Sequence, residues 1–361
     1  MKPLRRHPSF AVEFLLLPLI VVGISGCATP RSDARRSTPR AYWGALDVPF
    51  IAQKPNFCGP AALAMLANYH GKRVTQDDIA GAIYLPEARG TLTTELANYA
   101  QKFNLWVRQY TGSETDLRQK LAAGVPLLVL GRFGNQYHYF VVLGVDDFRQ
   151  TVMAHSDTRA GVEFSQDEFR RFWDRADRWT LLVCPPELAL DSSRRPTWRL
   201  SADEYNDLGV FLERTDHLAA AAGNYREATE LQPSNSWFQV NLGNALLKQE
   251  LFAGASAAYA RAVKLDPENA DAMNNLAYAY VKAGANLDQA VQLCQRAVAL
   301  RPYHRAYYLD TLGGILLKQG KTGEAVAAFE SALAATTDRQ SALRAGIRER
   351  LAAARAAAEK Q

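Results

Sequence analysis

The sequence predicts two joined folds, an α+β domain followed by an all-α solenoid of paired helices. Three observations carry this. Pro233, Pro267 and Pro302 each follow a helix pattern at spacings of 34 and 35 residues, in Leu231-Gln232-Pro233, Leu265-Asp266-Pro267 and Leu300-Arg301-Pro302. The preceding stretch instead mixes helical patterns with apolar strand-like runs such as Leu127-Leu128-Val129-Leu130 and Tyr139-Phe140-Val141-Val142-Leu143. A chain of 361 residues also exceeds one ordinary core and calls for two domains.

Residues 1–27 read as an export signal. Lys2, Arg5 and Arg6 form a basic start, and Phe14 to Ile24 is apolar but interrupted by Pro18 and Gly23. The stretch is short for a spanning helix. Ile24-Ser25-Gly26-Cys27 closes it and resembles a bacterial lipobox, which implies lipidation at Cys27. Ala28 follows rather than Asp, so the same resemblance implies the outer membrane, facing the periplasm. An ordinary signal peptide or a membrane anchor is the alternative. Residues 28–45 form a polar tether. Without residues 1–26 the chain has 39 basic and 36 acidic side chains, too balanced to imply nucleic acid.

Residues 46–185 carry the chemistry. Gln53 stands five positions before Cys58 in Gln53-Lys54-Pro55-Asn56-Phe57-Cys58-Gly59-Pro60-Ala61-Ala62-Leu63. A small-residue helical stretch follows at once, so Cys58 starts a helix whose partial positive charge favours thiolate. The Gln53 amide can donate to a developing oxyanion. His138 opens an apolar strand run, and Asp157 follows. Cys, His and Asp then stand as nucleophile, base and orienter. His155, two residues from Asp157, is the competing base. Asp146 and Asp147 lie in a Gly-Val-Asp-Asp turn signal and read as turn residues. His70 reads as a capping or surface residue at a helix end.

The Gln-x4-Cys-Gly-Pro-Ala-Ala-Leu run resembles the active-site helix of bacteriocin-processing, papain-like cysteine peptidases, which remove double-glycine leader peptides. Gly90-Thr91-Leu92 is similar to that family's second helix start, and Leu121 to Leu130 to its helix end and central strand. His138 to Val145 is similar to its histidine strand. Ala154-His155-Ser156-Asp157 stands where the family has an Asp-Pro pair, and this implies Asp157 as the third member. The resemblance implies a papain-like fold and peptide-bond hydrolysis by Cys58, His138, Asp157 and Gln53. It calls for no cofactor, metal or nucleotide, and no phosphate-binding Gly-Lys-Ser/Thr run is present.

Residues 186–200 are rich in Pro, Ser and Arg and read as an exposed linker. Residues 201–338 hold four repeats, near 202–235, 236–269, 270–304 and 306–338. Leu208-Gly209, Leu242-Gly243, Leu276-Ala277 and Leu312-Gly313 mark the first helix of each unit. Tyr225, Tyr259, Cys294 and Phe329 mark the second. This pattern resembles the tetratricopeptide repeat, which implies a concave groove that binds a protein or peptide. By period, Asn241, Asn244, Asn274 and Asn275 lie in that groove or pack at repeat junctions. The third unit has one extra residue in its turn, and the fourth lacks its closing proline. Residues 339–361 form a capping helix. Cys184 ends a strand run and Cys294 packs between helices. Both read as buried thiols, with a bridge between them as the alternative.

Three functions fit these residues. The first is a lipid-anchored cysteine peptidase whose repeats hold substrate or a partner protein. The second is a thiol-dependent amidase or acyltransferase on cell-wall peptides. The third is an inert repeat scaffold.

Overall fold

A computed structural model describes residues 44–191 and 198–359. Cys27, the export signal and nearly all of the tether lie outside the described residues. The chain parts into two compact units between Arg199 and Leu200.

The first unit opens with three helices, α1 (Cys58–Tyr69), α2 (Gln76–Ile83) and α3 (Thr93–Ala100). It continues with β1 (Trp106–Thr111), α4 (Glu114–Ala122), β2 (Leu127–Phe133), β3 (Gln136–Asp146), β4 (Thr151–Ser156) and β5 (Arg159–Ser165). It ends with α5 (Gln166–Asp174), β6 (Trp179–Cys184) and α6 (Pro186–Leu190). The six strands form one antiparallel sheet in the order β1-β6-β2-β3-β4-β5.

Local sequence explains the ends of these elements. Thr75 and Asp78 form a reciprocal capping box on α2, and Ser165 and Glu168 form one on α5. α1 differs: it has no side-chain cap and no acidic residue in its first turn. Pro60 is tolerated there because the first backbone N–H groups of a helix have no partner within it. Residues Cys58 to Ala67 of α1 are all buried. An all-apolar helix of this kind belongs inside a fold rather than on its surface. It packs against one face of β3, where Tyr139, Val141 and Leu143 share its core. The alternate residue Phe140 lies on the other face, against Phe164 and Phe172.

The segment expected to be a plain exposed linker is more structured. Its first residues form α6, with Pro186 in the first turn. Trp198 is buried, stacked on Trp106 at 5.9 Å between ring centroids, with Lys120 Nζ 5.3 Å from its ring. An indole offers too much apolar area to leave in water once an aromatic partner is within reach.

The second unit consists of helix pairs: α7 (Ala202–Arg214) with α8 (Leu218–Leu231), α9 (Ser236–Lys248) with α10 (Phe252–Leu265), α11 (Ala270–Ala283) with α12 (Leu287–Leu300), and α13 (Arg305–Lys318) with α14 (Thr322–Ala334). α15 (Ser341–Ala358) follows and buries Ile347, Leu351 and Ala354 in a cluster with Leu316 and Phe329. The repeated glycine lets each pair close. A Cβ added at Gly209, Gly243 or Gly313 would stand 2.6, 2.6 or 2.7 Å from the ring of Tyr225, Tyr259 or Phe329. In the third pair Ala277 replaces the glycine and Cys294 the aromatic, and both are buried. The smaller partner makes room for the extra methyl group.

The turns follow the sequence as closely. Asp216, Glu250 and Gly320 each supply one left-handed residue between paired helices. The third turn has the same three residues but uses two left-handed ones, Gly284 at φ 69° and Asn286 at φ 54°; the extra residue of this unit extends the end of α11 instead. Cys294 forms no disulfide, so the alternative of a bridge from it to Cys184 does not hold.

Candidate active site

The residues before Cys58 are fixed by backbone bonds. Leu46 N–H donates to Leu143 O at 2.9 Å, and Gln53 N–H donates to Asp157 O at 3.1 Å. The buried amide of Gln76 clamps the next step, accepting from Lys54 N–H and donating to Ala52 O, both at 2.9 Å. Phe57 N–H returns to Lys54 O at 3.0 Å, and Asn56 adopts φ 67°. This turn delivers the chain into α1 at Cys58. Cys58 is buried there, 6 % exposed.

Three segments meet at the start of α1. A Cβ on Gly59 would lie 3.2 Å from the Tyr139 ring and 3.4 Å from Thr91 Cβ. The Tyr139 hydroxyl donates to Thr91 O at 3.1 Å. The turn before α3, the start of α1 and β3 are thereby tied together. Cys58 and His138 are each one residue from the Gly59–Tyr139 contact.

His138 is 4 % exposed. Its ring stands edge-on to Phe140, 4.7 Å between centroids, and its Nε2 lies 3.1 Å from Ser156 Oγ. Ser156 ends β4 and is 1 % exposed. The residue expected to hold the imidazole was Asp157. It sits instead in the β4–β5 turn at φ 58°, where its backbone carbonyl accepts from Gln53. Among the described residues its carboxylate forms no hydrogen bond or ion pair with His138. The reason is local: Asp is among the residues that tolerate the left-handed region and supply turns, and the preceding residue, still in the strand, faces the histidine.

His155 is fully engaged elsewhere. Gly161 N–H donates to its Nδ1 at 3.1 Å, so Nε2 carries the proton and donates to Val48 O at 2.8 Å. Burial holds its pKa below the ordinary 6.5. With both nitrogens committed it is unavailable as a base. Asp146 Oδ1 accepts from Phe148 and Arg149 N–H, as a turn residue does. Asp147 pairs with Arg118 at 2.8 Å and accepts from Gln166 at 3.0 Å. His70 follows the last residue of α1, and burial lowers its pKa to about 4. Among the described residues no cluster of His, Cys, Asp and Glu could hold a metal ion.

The groove asparagines bridge neighbouring elements. Asn241 Nδ2 donates to Asn206 Oδ1 at 2.8 Å, and Asn244 Oδ1 accepts from the Tyr259 hydroxyl at 2.6 Å. Asn275 Nδ2 reaches Asn244 Oδ1 at 3.5 Å, and Cys294 Sγ lies 3.9 Å from Asn274 Oδ1. These side chains link successive repeats and seat the residues that fill each helix pair.

Residue for residue, the first unit holds a thiol at a helix start, an amide five positions earlier and a buried imidazole held by a hydroxyl. That set suits nucleophilic attack on an acyl carbon. The sequence alone did not point to Ser156. Its signal was available in the alternation of β4: His155 pairs with Val141, which puts Ser156 on the Phe140 side.

Comparison with known proteins agrees with this division. Residues 45–180 match the Peptidase_C39 like family, and residues 240–305 match a tetratricopeptide repeat. No curated protein matches the chain. Among solved structures, YrrB, "a TPR protein with an unusual peptide-binding site", is 23 % identical, with 45 % of this chain and 79 % of that one covered and a TM-score of 0.37. MamA from Desulfovibrio magneticus RS-1 is 20 % identical, covering 47 % and 92 % at a TM-score of 0.37. The first TPR of Spaghetti (RPAP3), bound to an HSP90 peptide, is 19 % identical, covering 33 % and 94 % at 0.32. The chain therefore joins a Peptidase_C39-like domain to a solenoid of tetratricopeptide repeats.

Proposed function

We propose that this chain is an exported, lipid-anchored cysteine peptidase that hydrolyses peptide bonds with Cys58 and His138, its repeats holding substrate or a partner protein. The observation that carries the reading is Cys58 at the opening of an uncapped, acid-free helix inside a Peptidase_C39-like domain. The anchoring rests on the sequence alone, through the basic, apolar and Ile-Ser-Gly-Cys order ending at Cys27. Ala28 after Cys27 supports the reading of an anchor in the outer membrane, facing the periplasm.

The reaction follows from the groups present. The His138 imidazole takes the Cys58 proton as the sulfur attacks an amide carbonyl, forming the C–S bond. The oxyanion is held by the Gln53 side-chain amide and the Cys58 backbone N–H. The imidazolium protonates the departing amine as the C–N bond breaks, leaving a thioester. Water, giving its proton to the same imidazole, then releases the acid and restores the thiol. Asp157 contributes through its carbonyl, which fixes the Gln53 backbone.

A peptidyl warhead specific for thiols tests the chemistry on the full mature chain. The expected result is labelling at Cys58, with hydrolysis abolished in Cys58→Ala and His138→Ala while circular dichroism is unchanged. Gln53→Ala should slow the reaction by on the order of a hundredfold, the loss expected for one oxyanion donor. Labelling only at Cys184 or Cys294 would end the peptidase reading. Mass spectrometry of the mature N-terminus tests the anchor, and a free Ala28 or an intact Met1 would overturn it.

A further inference from the structure

We propose that Ser156, not Asp157, is the positioning residue for His138, and that its hydroxyl fixes the imidazole in the Nε2–H tautomer. This rests on the reading of His138 as the base. The two groups lie 3.1 Å apart and both are buried, so neither exchanges its partner for water. The imidazole can serve as a base only if one ring nitrogen keeps its lone pair. A hydroxyl oxygen accepting from Nε2–H leaves that lone pair on Nδ1.

The surroundings favour a neutral partner. His138 packs against Phe140, whose ring meets Phe164 and Phe172. A carboxylate at position 156 would lose its water beside this aromatic cluster, at a cost met only by a full opposite charge. A hydroxyl sets the ring's direction and tautomer without that cost. Asp157 is already used in another way, with its backbone held in the turn by Gln53.

The test uses the full mature chain with ¹⁵N-labelled histidine, no substrate, and long-range ¹H–¹⁵N spectra. The His138 signals are assigned by their loss in His138→Gln. The expected result is the Nε2–H tautomer in the natural protein and in Ser156→Thr, and mixed tautomers in Ser156→Ala. With a fluorogenic peptide, Ser156→Ala should lower kcat about tenfold at unchanged KM, the size of one lost neutral hydrogen bond. Ser156→Thr should recover most of that loss. The proposal is overturned if Ser156→Ala keeps a pure Nε2–H tautomer, or if Asp157→Asn is the change that alters it. Should the threonine side chain prevent folding, the alanine spectrum still decides. The tautomer is read without turnover, so a chain that cleaves no peptide would end the peptidase reading while leaving the assignment of Ser156 to be judged by the spectra.

Discussion

Lys120 lies one helical turn after Asp116 on α4, and its ammonium meets the Asp116 carboxylate with none of the lysine side chain exposed. Tyr110 donates to the other carboxylate oxygen at 2.6 Å, and its ring lies 4.7 Å from Lys120 Nζ. Removing the carboxylate alone would take from a buried cation its partner on α4. Asp116→Ala should therefore cost roughly 3 kcal/mol, whereas Lys120→Met, which keeps the packed stem, should cost less than about 1 kcal/mol. Urea unfolding followed by tryptophan fluorescence gives both values. Equal losses would show that the charge pair matters less than the packing.

The helix pairs of the second unit should be intolerant of a single methyl group. Gly243→Ala puts a Cβ 2.6 Å from Tyr259 Cε1, and the ring is wholly buried. A loss of about 2 kcal/mol is expected, within the range for overpacking. Adding Tyr259→Leu should recover part of it by thinning the layer. Thermal unfolding of the single and double variants would check the coupling.

Acid should weaken the first unit through His70. Burial lowers the pKa of this residue in the fold from 6.5 to about 4, so between those values the unfolded chain binds more protons than the folded one. The contribution is present above pH 6.5 and is lost as pH falls toward 4. After allowing for solvent screening, this amounts to on the order of 2 kcal/mol. His155, whose pKa is also lowered by burial, acts in the same direction. The melting temperature should drop from pH 7 to pH 4, and His70→Phe should flatten the slope.

Asp157→Gly should leave peptide hydrolysis close to that of the natural protein. The residue holds φ 58° and serves Gln53 through its carbonyl, both of which glycine reproduces. Asp157→Val should be worse, because a β-branched residue resists that backbone conformation. Steady-state rates of the two variants would separate a backbone role from a carboxylate role.

Much of this architecture was readable in advance, and the failures have local causes. The repeats were legible because each glycine, aromatic and proline answers to a steric demand that recurs every 34 to 36 residues. The helix start at Cys58 was legible because a run of small residues follows it at once. The partner of His138 was not. The choice between Ser156 and Asp157 depends on which residue ends the strand and which enters the turn, and a displacement of one residue reverses the face. The exposed-linker reading of 186–200 missed the burial of Trp198 because composition reports average polarity, whereas one indole finds a partner at Trp106, distant in sequence.

The Ala277 and Cys294 pairing makes the third repeat a unit that cannot be traded piecemeal. A genetic exchange that replaced α12 by α10 would bring a tyrosine against Ala277, and one that replaced α11 by α9 would leave a hollow beside Cys294. Recombination with the third repeat is therefore confined to breakpoints between helix pairs. A crossover inside that pair yields a protein with a clash or a void, whereas the glycine and aromatic of the other three pairs match one another. Residues 277 and 294 act as a lock and key that keep the history of this repeat separate from that of its neighbours.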